Sequence, residues 1–355
     1  MESIARLRTF AIALGALLAA APICAQATTE HPFFDPDEPL ELTLTADFSL
    51  LKDDRRGQSP ERPAKVTVIG DDGSEVVIEA QLRTRGKFRR DSHACHFPPL
   101  RLNLKRKQAE GTAFEGQDKL KIVGSCRPNR NSYEQLVLSE YLQYQAFQLI
   151  TGASFRTRLA RITYVDESGE DDPWTRLAFF IEDDEELAAR LGGEVFELEE
   201  GTALPPGYLD PSTTAVMSVF QYMIGNTDWS AVAGHNVELI RFGLIAVPVA
   251  YDFDFSGVVD APYSTPNPTL NLTSVRDRRY RGWCWHNIDM GRTLQRFWDA
   301  EADILALYED FPYLDDGDRR RILRYVRAFF EDIETADRAD RRFLRDCRLL
   351  PSTDR

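Results

Sequence analysis

Asn226-Thr227-Asp228-Trp229, His235-Asn236 and Tyr251-Asp252-Phe253-Asp254-Phe255-Ser256-Gly257 follow one another closely in this chain. An Asp that takes the proton of a hydroxyl, followed by amide and carboxylate oxygens for a hard divalent cation, is the set that phosphoryl transfer needs. Each residue alone would read as a helix cap, an Asx turn or a calcium loop. Their order, around what reads as a short hairpin (Val237–Phe242 and Leu244–Ala250, turning at Gly243), is what joins them. A phosphoester hydrolase would use the same Asp228, Asp252 and Asp254 around a divalent ion. A binding module would keep the acidic loop for structural calcium.

A phosphate ligand also needs a fixed cation. All seven lysines lie between Lys52 and Lys121, so a phosphate-binding lysine comes from the first half, with Lys121, Lys119 and Lys105 as candidates. Glu140 sits in an otherwise apolar stripe with Tyr133, Val137, Tyr144 and Phe147, where a carboxylate needs a cationic partner or a route to solvent. Arg83, Arg85, Lys87 and Arg89 recur at every second residue around Gly86 and would share one face of a continued strand. A second basic run, Arg276, Arg278, Arg279 and Arg281 among Tyr280, Trp283 and Trp285, suits ion pairing or an acidic substrate.

The stretch Asn226–Gly257 resembles the CotH family of spore-coat kinases, and more distantly HipA-type and lipid-kinase-like atypical kinases. A looser likeness covers Leu82–Glu186, where Arg85-Gly86, Lys119-Leu120-Lys121, a helix and Phe179-Phe180-Ile181-Glu182 fall in matching order. The resemblance implies Asp228 as the catalytic residue and Asn236, Asp252 and Asp254 as metal ligands. Arg85, Lys105, Lys119, Lys121, Glu140 and Glu182 would then serve the cofactor. It further implies transfer of the γ-phosphoryl of ATP, with Mg²⁺ or Mn²⁺, to a Ser or Thr hydroxyl of a protein. Ordinary protein kinases are excluded, because Asp228 and Asn236 are not spaced as in H-R-D-L-x-x-x-N and neither a G-x-G-x-x-G loop nor a V-A-I-K strand is present.

The elements that would position these residues follow from periodicity. Strands are expected at Glu41–Phe48, Ala64–Ile69, Glu75–Leu82, Leu100–Leu104, Lys119–Val123, Arg158–Val165 and Trp174–Ile181. A helix spans Asn131–Ile150, with Ser132 as cap, and another runs from Asp210-Pro211 to Ile224, stopped by Gly225. Amphipathic helices follow, the clearest marked by Ile322, Tyr325, Val326, Phe329, Phe330 and Ile333. The expected class is α+β, a two-lobed atypical kinase-like fold. Residues 28–181 would form a β-rich lobe, residues 182–355 a helical lobe with the acidic loops, and Glu182–Glu186 the hinge.

The first 27 residues read as an export signal: Arg6 and Arg8, an apolar run from Phe10 to Ile23, then Ala25-Gln26-Ala27. Removing them takes away one acid and two bases and brings the net charge from -14 to -15, which argues against nucleic acid or an anionic membrane as partner. Nothing later in the chain is apolar enough for a bilayer span. Four cysteines remain, an even number in an exported chain, and pairing near neighbours gives Cys95–Cys126 and Cys284–Cys347. A metal site at His93-Ala94-Cys95-His96 lacks a second ligand pair. The chain is expected in the periplasm or secreted. ATP is scarce there, which leaves another donor, or an inactive ligand-binding relative, as alternatives.

Overall fold

Alternating Leu42, Leu44 and Ala46 set the pattern of the first half: one face of each strand is fully apolar and must be covered. The computed structural model describes residues 33–350 apart from 37, 55–58, 87, 91–94 and 286–287. The expected export segment, His93, Ala94 and Lys87 lie outside the described residues. The chain runs β1 (Leu40–Ala46), α1 (Phe48–Asp53), β2 (Arg62–Ile69), β3 (Glu75–Thr84), β4 (Leu100–Leu104), β5 (Lys119–Val123), α2 (Asn131–Ile150), β6 (Thr157–Asp166) and β7 (Trp174–Ile181).

These strands close into a barrel in the order β1-β2-β3-β4-β5-β7-β6. Six of the seams are antiparallel, and the parallel seam between β1 and β6, with Leu44 opposite Tyr164, closes the ring. Closure removes every sheet edge and turns the alternating apolar face into an interior, filled by Leu44, Val66, Ile78, Leu82, Leu102, Leu120, Ile162 and Phe180.

The two-lobed kinase-like fold expected from the sequence is therefore wrong. The first half is a closed mixed barrel. On β7 the residues Leu177 to Ile181 are buried on both faces, because α2 lies against the outside of the barrel there. The hydrophobic cluster that begins with Val123, Leu159 and Phe179 on the barrel's outer wall continues through α2 into the C-terminal helices. At the expected hinge Glu182 and Asp183 are buried, and Asp183 caps α3 (Asp184–Leu191) by accepting from Glu185 N.

Beyond it come β8 (Glu194–Val195), α4 (Pro211–Ile224), β9 (Val237–Phe242) and β10 (Ile245–Ala250), the strands forming a small sheet in the order β10-β9-β8. Four helices complete the chain: α5 (Met290–Asp299), α6 (Glu301–Asp310), α7 (Asp316–Asp332) and α8 (Ala336–Phe343). α4 starts as its sequence dictates, with Asp210 accepting from Thr213 N at 2.7 Å and Pro211 in the first turn. α2 begins one residue before Ser132 and carries no side-chain cap. Cys95–Cys126 and Cys284–Cys347 are bonded, and no helix among the described residues is long and apolar enough to cross a membrane. Both observations are compatible with export.

Candidate functional site

α4 ends at Gly225, whose φ of +66° and whose approach to the Tyr325 hydroxyl, 2.0 Å from where a Cβ would stand, leave room only for glycine. The loop it releases lies beside the second acidic loop: Gly257 N donates to Gly225 O at 3.1 Å and Val258 N to Ile224 O at 3.0 Å. The hairpin of β9 and β10 joins them, and Tyr251 N donates to Asn236 O at 3.1 Å. Asn236 and Asp252 both hold positive φ, 52° and 60°, in a region that Asn and Asp tolerate better than other side chains.

Asp228 is half-exposed and held on several sides. His235 Nε2 lies 2.9 Å from its Oδ1, the Asn236 amide donates to its Oδ2 at 3.1 Å and to its backbone O at 2.7 Å, and its own N–H donates to Asn226 Oδ1 at 2.9 Å. The hydrogen bond to Asp228 raises the His235 pKa against the opposing effect of burial, with Asp252 adding a smaller pull. Arg281 fixes the loop from behind, donating to Thr227 O at 2.6 Å and Trp229 O at 2.5 Å, the carbonyls on either side of Asp228.

Asp252 and Asp254 meet Glu140 of α2 in a cluster whose carboxylate oxygens all lie within 4.8 Å of one another. A guanidinium already stands among them. Arg89, from a 3-10 turn after β3, reaches Glu140 Oε2 at 3.1 Å and Asp254 Oδ2 at 3.3 Å, and also bonds Asp252 Oδ1. Asp252 is anchored by its N–H, which donates to the Tyr144 hydroxyl at 2.8 Å. Burial alone would lower the Arg89 pKa, but the three carboxylates outweigh it and raise it well above its ordinary value. Burial pushes Glu140 and Asp254 up, with Arg89 opposing. One guanidinium against three carboxylates leaves an excess of negative charge. Carboxylate oxygens are the ligand type that a hard divalent cation takes, and Arg89 shares the same oxygens.

Beside this cluster the outer wall of the barrel is basic. Arg83 of β3 stands opposite Arg101 of β4, which stands opposite Lys121 of β5, so like charges face one another across two adjacent seams. Such pairing is unfavourable unless anions intervene. Asp183 accepts from Arg101 at 2.5 Å and Asp184 pairs with Lys121. Lys121 is buried between the rings of Phe155 and Tyr251, 4.8 and 5.6 Å from their centroids, and burial lowers its pKa. Burial first, then Arg101, lowers that of Arg83. Arg85 lies between the two regions, within electrostatic reach of both Lys121 and Glu140. Among the described residues neither Arg83 nor Arg85 has an ion-pair partner within 4.0 Å.

The structure thus gathers Arg85, Lys121, Glu140, Asp252 and Asp254, with Asp228 and Asn236 on the adjoining loop. It disperses the rest. Lys105 pairs with Glu79 on the surface, and Lys119 is exposed at the start of β5. Glu182 is a buried structural anion gripped by Arg190 at 2.8 Å through both oxygens. The expected arginine stripe breaks after Thr84, where the strand ends, and Arg89 turns inward. The run 276–281 staples loops together: Arg276 bonds Gly257 O, and Arg278 bonds Met223 O and Tyr325 O. Sequence reasoning gave no role to His235 or to Tyr263, whose hydroxyl bonds Asp254, and it placed Arg281 only in a basic run for ion pairing or an acidic substrate. The bare Asp-x-x-x-x-x-x-His spacing carries no signal for the first, and only a fold reveals the other two.

No protein-family model matches this chain, and no curated protein matches it either.

Proposed function

We propose that the chain is an exported, periplasmic or secreted phosphotransferase that moves the γ-phosphoryl of ATP, with Mg²⁺ or Mn²⁺, to the hydroxyl of a protein Ser or Thr. The reading rests on charged side chains and not on a kinase-like fold, which the barrel overturns. The observation that carries it is the pair of arginines without ion-pair partners among the described residues, Arg83 and Arg85, beside the in-register row Arg83, Arg101 and Lys121 and next to the acidic cluster. Basic groups that repel one another on one side and an excess of carboxylates on the other suit an anion carried together with a cation.

In this reading Arg85 and the basic row hold phosphate oxygens, while Glu140, Asp252 and Asp254 hold the cation, with Arg89 balancing part of their charge. The bound ion would neutralise charge on the phosphates and on the leaving group. Asp228 takes the proton of the attacking hydroxyl at a carboxylate oxygen, and His235 and the Asn236 amide orient that carboxylate. Arg281 keeps the loop in place through the flanking carbonyls.

Transfer of label from γ-³²P ATP to a protein mixture, with Mn²⁺ or Mg²⁺, tests the reading. Asp228→Asn should retain nucleotide binding and lose transfer, and Asp252→Ala should lose cation-dependent binding. Equal loss of binding in both would mean an acidic cluster of structural importance only. A second reading, a catalytically silent binding protein, is favoured by one observation: Arg89 already supplies a cation to the cluster. It keeps ATP binding and gives no transfer by the unaltered chain.

A further inference from the structure

A cleft away from the acidic cluster, at the end of the barrel, has a volume of about 830 Å³. That is the size of a pocket for a small organic ligand. Its floor is the aromatic plug that closes the barrel. Trp174 stacks on Tyr164 with ring centroids 5.1 Å apart, and Phe97 packs against both at 5.7 and 5.4 Å. The walls come from four segments of the chain that are tied together. Phe97 N donates to Cys126 O at 3.1 Å beside the Cys95–Cys126 bond, Arg176 Nε to Pro128 O at 2.6 Å, and Lys52 pairs with Asp171 while standing 5.9 Å over the Trp174 ring.

Two donors in this lining have no acceptor among the described residues: Trp174 Nε1 and Arg127 Nε are each shielded from solvent without a hydrogen-bond partner there. A buried donor left unpaired is unfavourable, so a ligand that brings acceptors to this place would relieve it. Both signs of charge line it, with Lys52 beside Asp53 and paired to Asp171. The connection between β5 and α2 gives Arg127 and Arg130, while the end of α1 and the turn between β6 and β7 give Asp53 and Asp172. An indole and a phenyl ring among basic and acidic groups suit a ligand with a carboxylate, an ammonium and a flat apolar part.

We propose that this cleft binds a small zwitterion, an amino acid or the end of a short peptide with an apolar side chain. The carboxylate faces Arg127 and Arg130, the ammonium faces Asp53 and Asp172, and the side chain lies over Trp174 and Phe97. The inference does not depend on the proposed phosphoryl transfer.

Saturation-transfer NMR and thermal shift on the full chain test it, with L-phenylalanine as probe. L-phenylalaninamide lacks the carboxylate and 3-phenylpropanoate lacks the ammonium, and each should bind about tenfold more weakly or worse, the loss of one charge-assisted contact. Arg127→Gln should lower affinity for L-phenylalanine by a similar factor, and Asp172→Asn by a smaller one, with the melting temperature of the free protein unchanged. Should Arg127→Gln lower that temperature, Arg130→Gln takes its place in the comparison. No binding of L-phenylalanine, equal binding of 3-phenylpropanoate, or tighter binding of glucuronate would each overturn the proposal.

Discussion

β4 and β5 carry two different molecules on their two faces. Inward, Leu100, Leu102, Leu104, Leu120 and Ile122 fill a dry barrel; outward, Arg101 and Lys121 continue a row of like charges begun by Arg83. The inner face is stabilised by burial, which is roughly proportional to area and indifferent to partner. The charged positions of the outer face are held where a specific anion meets a specific cation, as Asp183 meets Arg101, and Arg83 and Arg85 lack such a partner among the described residues. One face makes the fold, and in the proposed function the other holds the phosphates.

The sharpest way to break this contrast is to remove one group from each face. Phe180, fully buried among Phe33 and Phe114, should cost about 3–5 kcal/mol as Phe180→Ala in urea unfolding. Arg89→Met should cost a comparable 3–5 kcal/mol, because it strands three carboxylates around a buried space. The two losses differ in their remedy. Millimolar Mg²⁺ or Mn²⁺ should restore stability to Arg89→Met and do nothing for Phe180→Ala. A cation without effect on Arg89→Met would mean that the cluster holds only its arginine.

Breaking Cys95–Cys126 comes next. The bond spans 31 residues and borders the barrel's end, and its removal as a double serine variant should cost about 2–4 kcal/mol, read from the urea midpoint.

Glu238 of β9 sharpens the comparison through pH. Burial, then the charge of Asp184, raises its pKa from 4.5 to about 7, so the folded state favours the neutral carboxyl. The stability it contributes is complete below about pH 4.5 and is lost as pH rises through about 7. Glu238→Gln should therefore be more stable than the unaltered chain above pH 7, by up to about 3 kcal/mol, and equal to it at pH 4. Thermal melts at the two pH values decide.

The smallest effect concerns His235. Its pKa is raised above 6.5 by Asp228, so the pair's contribution is present below pH 6.5 and is lost as pH climbs through the raised value. An NMR titration should show the His235 midpoint falling back in Asp228→Asn. An unmoved midpoint would separate His235 from Asp228.

Period-2 patterning made the strands legible, several to the residue: Leu100–Leu104, Lys119–Val123 and Trp174–Ile181 begin and end as expected. Their closure was not legible. The parallel seam of β1 with β6 joins segments over a hundred residues apart, and no local pattern encodes a partner at that distance. The same blindness hid α1, where the strand reading ran on through Phe48, and α8. The paired cysteines followed from counting thiols, whereas for Glu140 the sequence left a cationic partner and a route to solvent both open, and the structure gives it Arg89. Arg89 was named only as one of a stripe. A two-residue count cannot tell that the strand ends at Thr84 and that a turn then points Arg89 into the protein. Glu182 misled for the opposite reason: its acidic neighbours read as a solvated hinge, and Arg190, eight residues on, buries it.

Isothermal titration calorimetry of ATP into the oxidised protein, with and without Mg²⁺, tests the central claim most directly, run beside Arg85→Gln. Binding that needs the cation, and that falls at least about tenfold when the Arg85 charge is removed, is the result expected from one lost charge-assisted phosphate contact. No heat of binding in either condition, or an affinity indifferent both to Mg²⁺ and to Arg85, would contradict it.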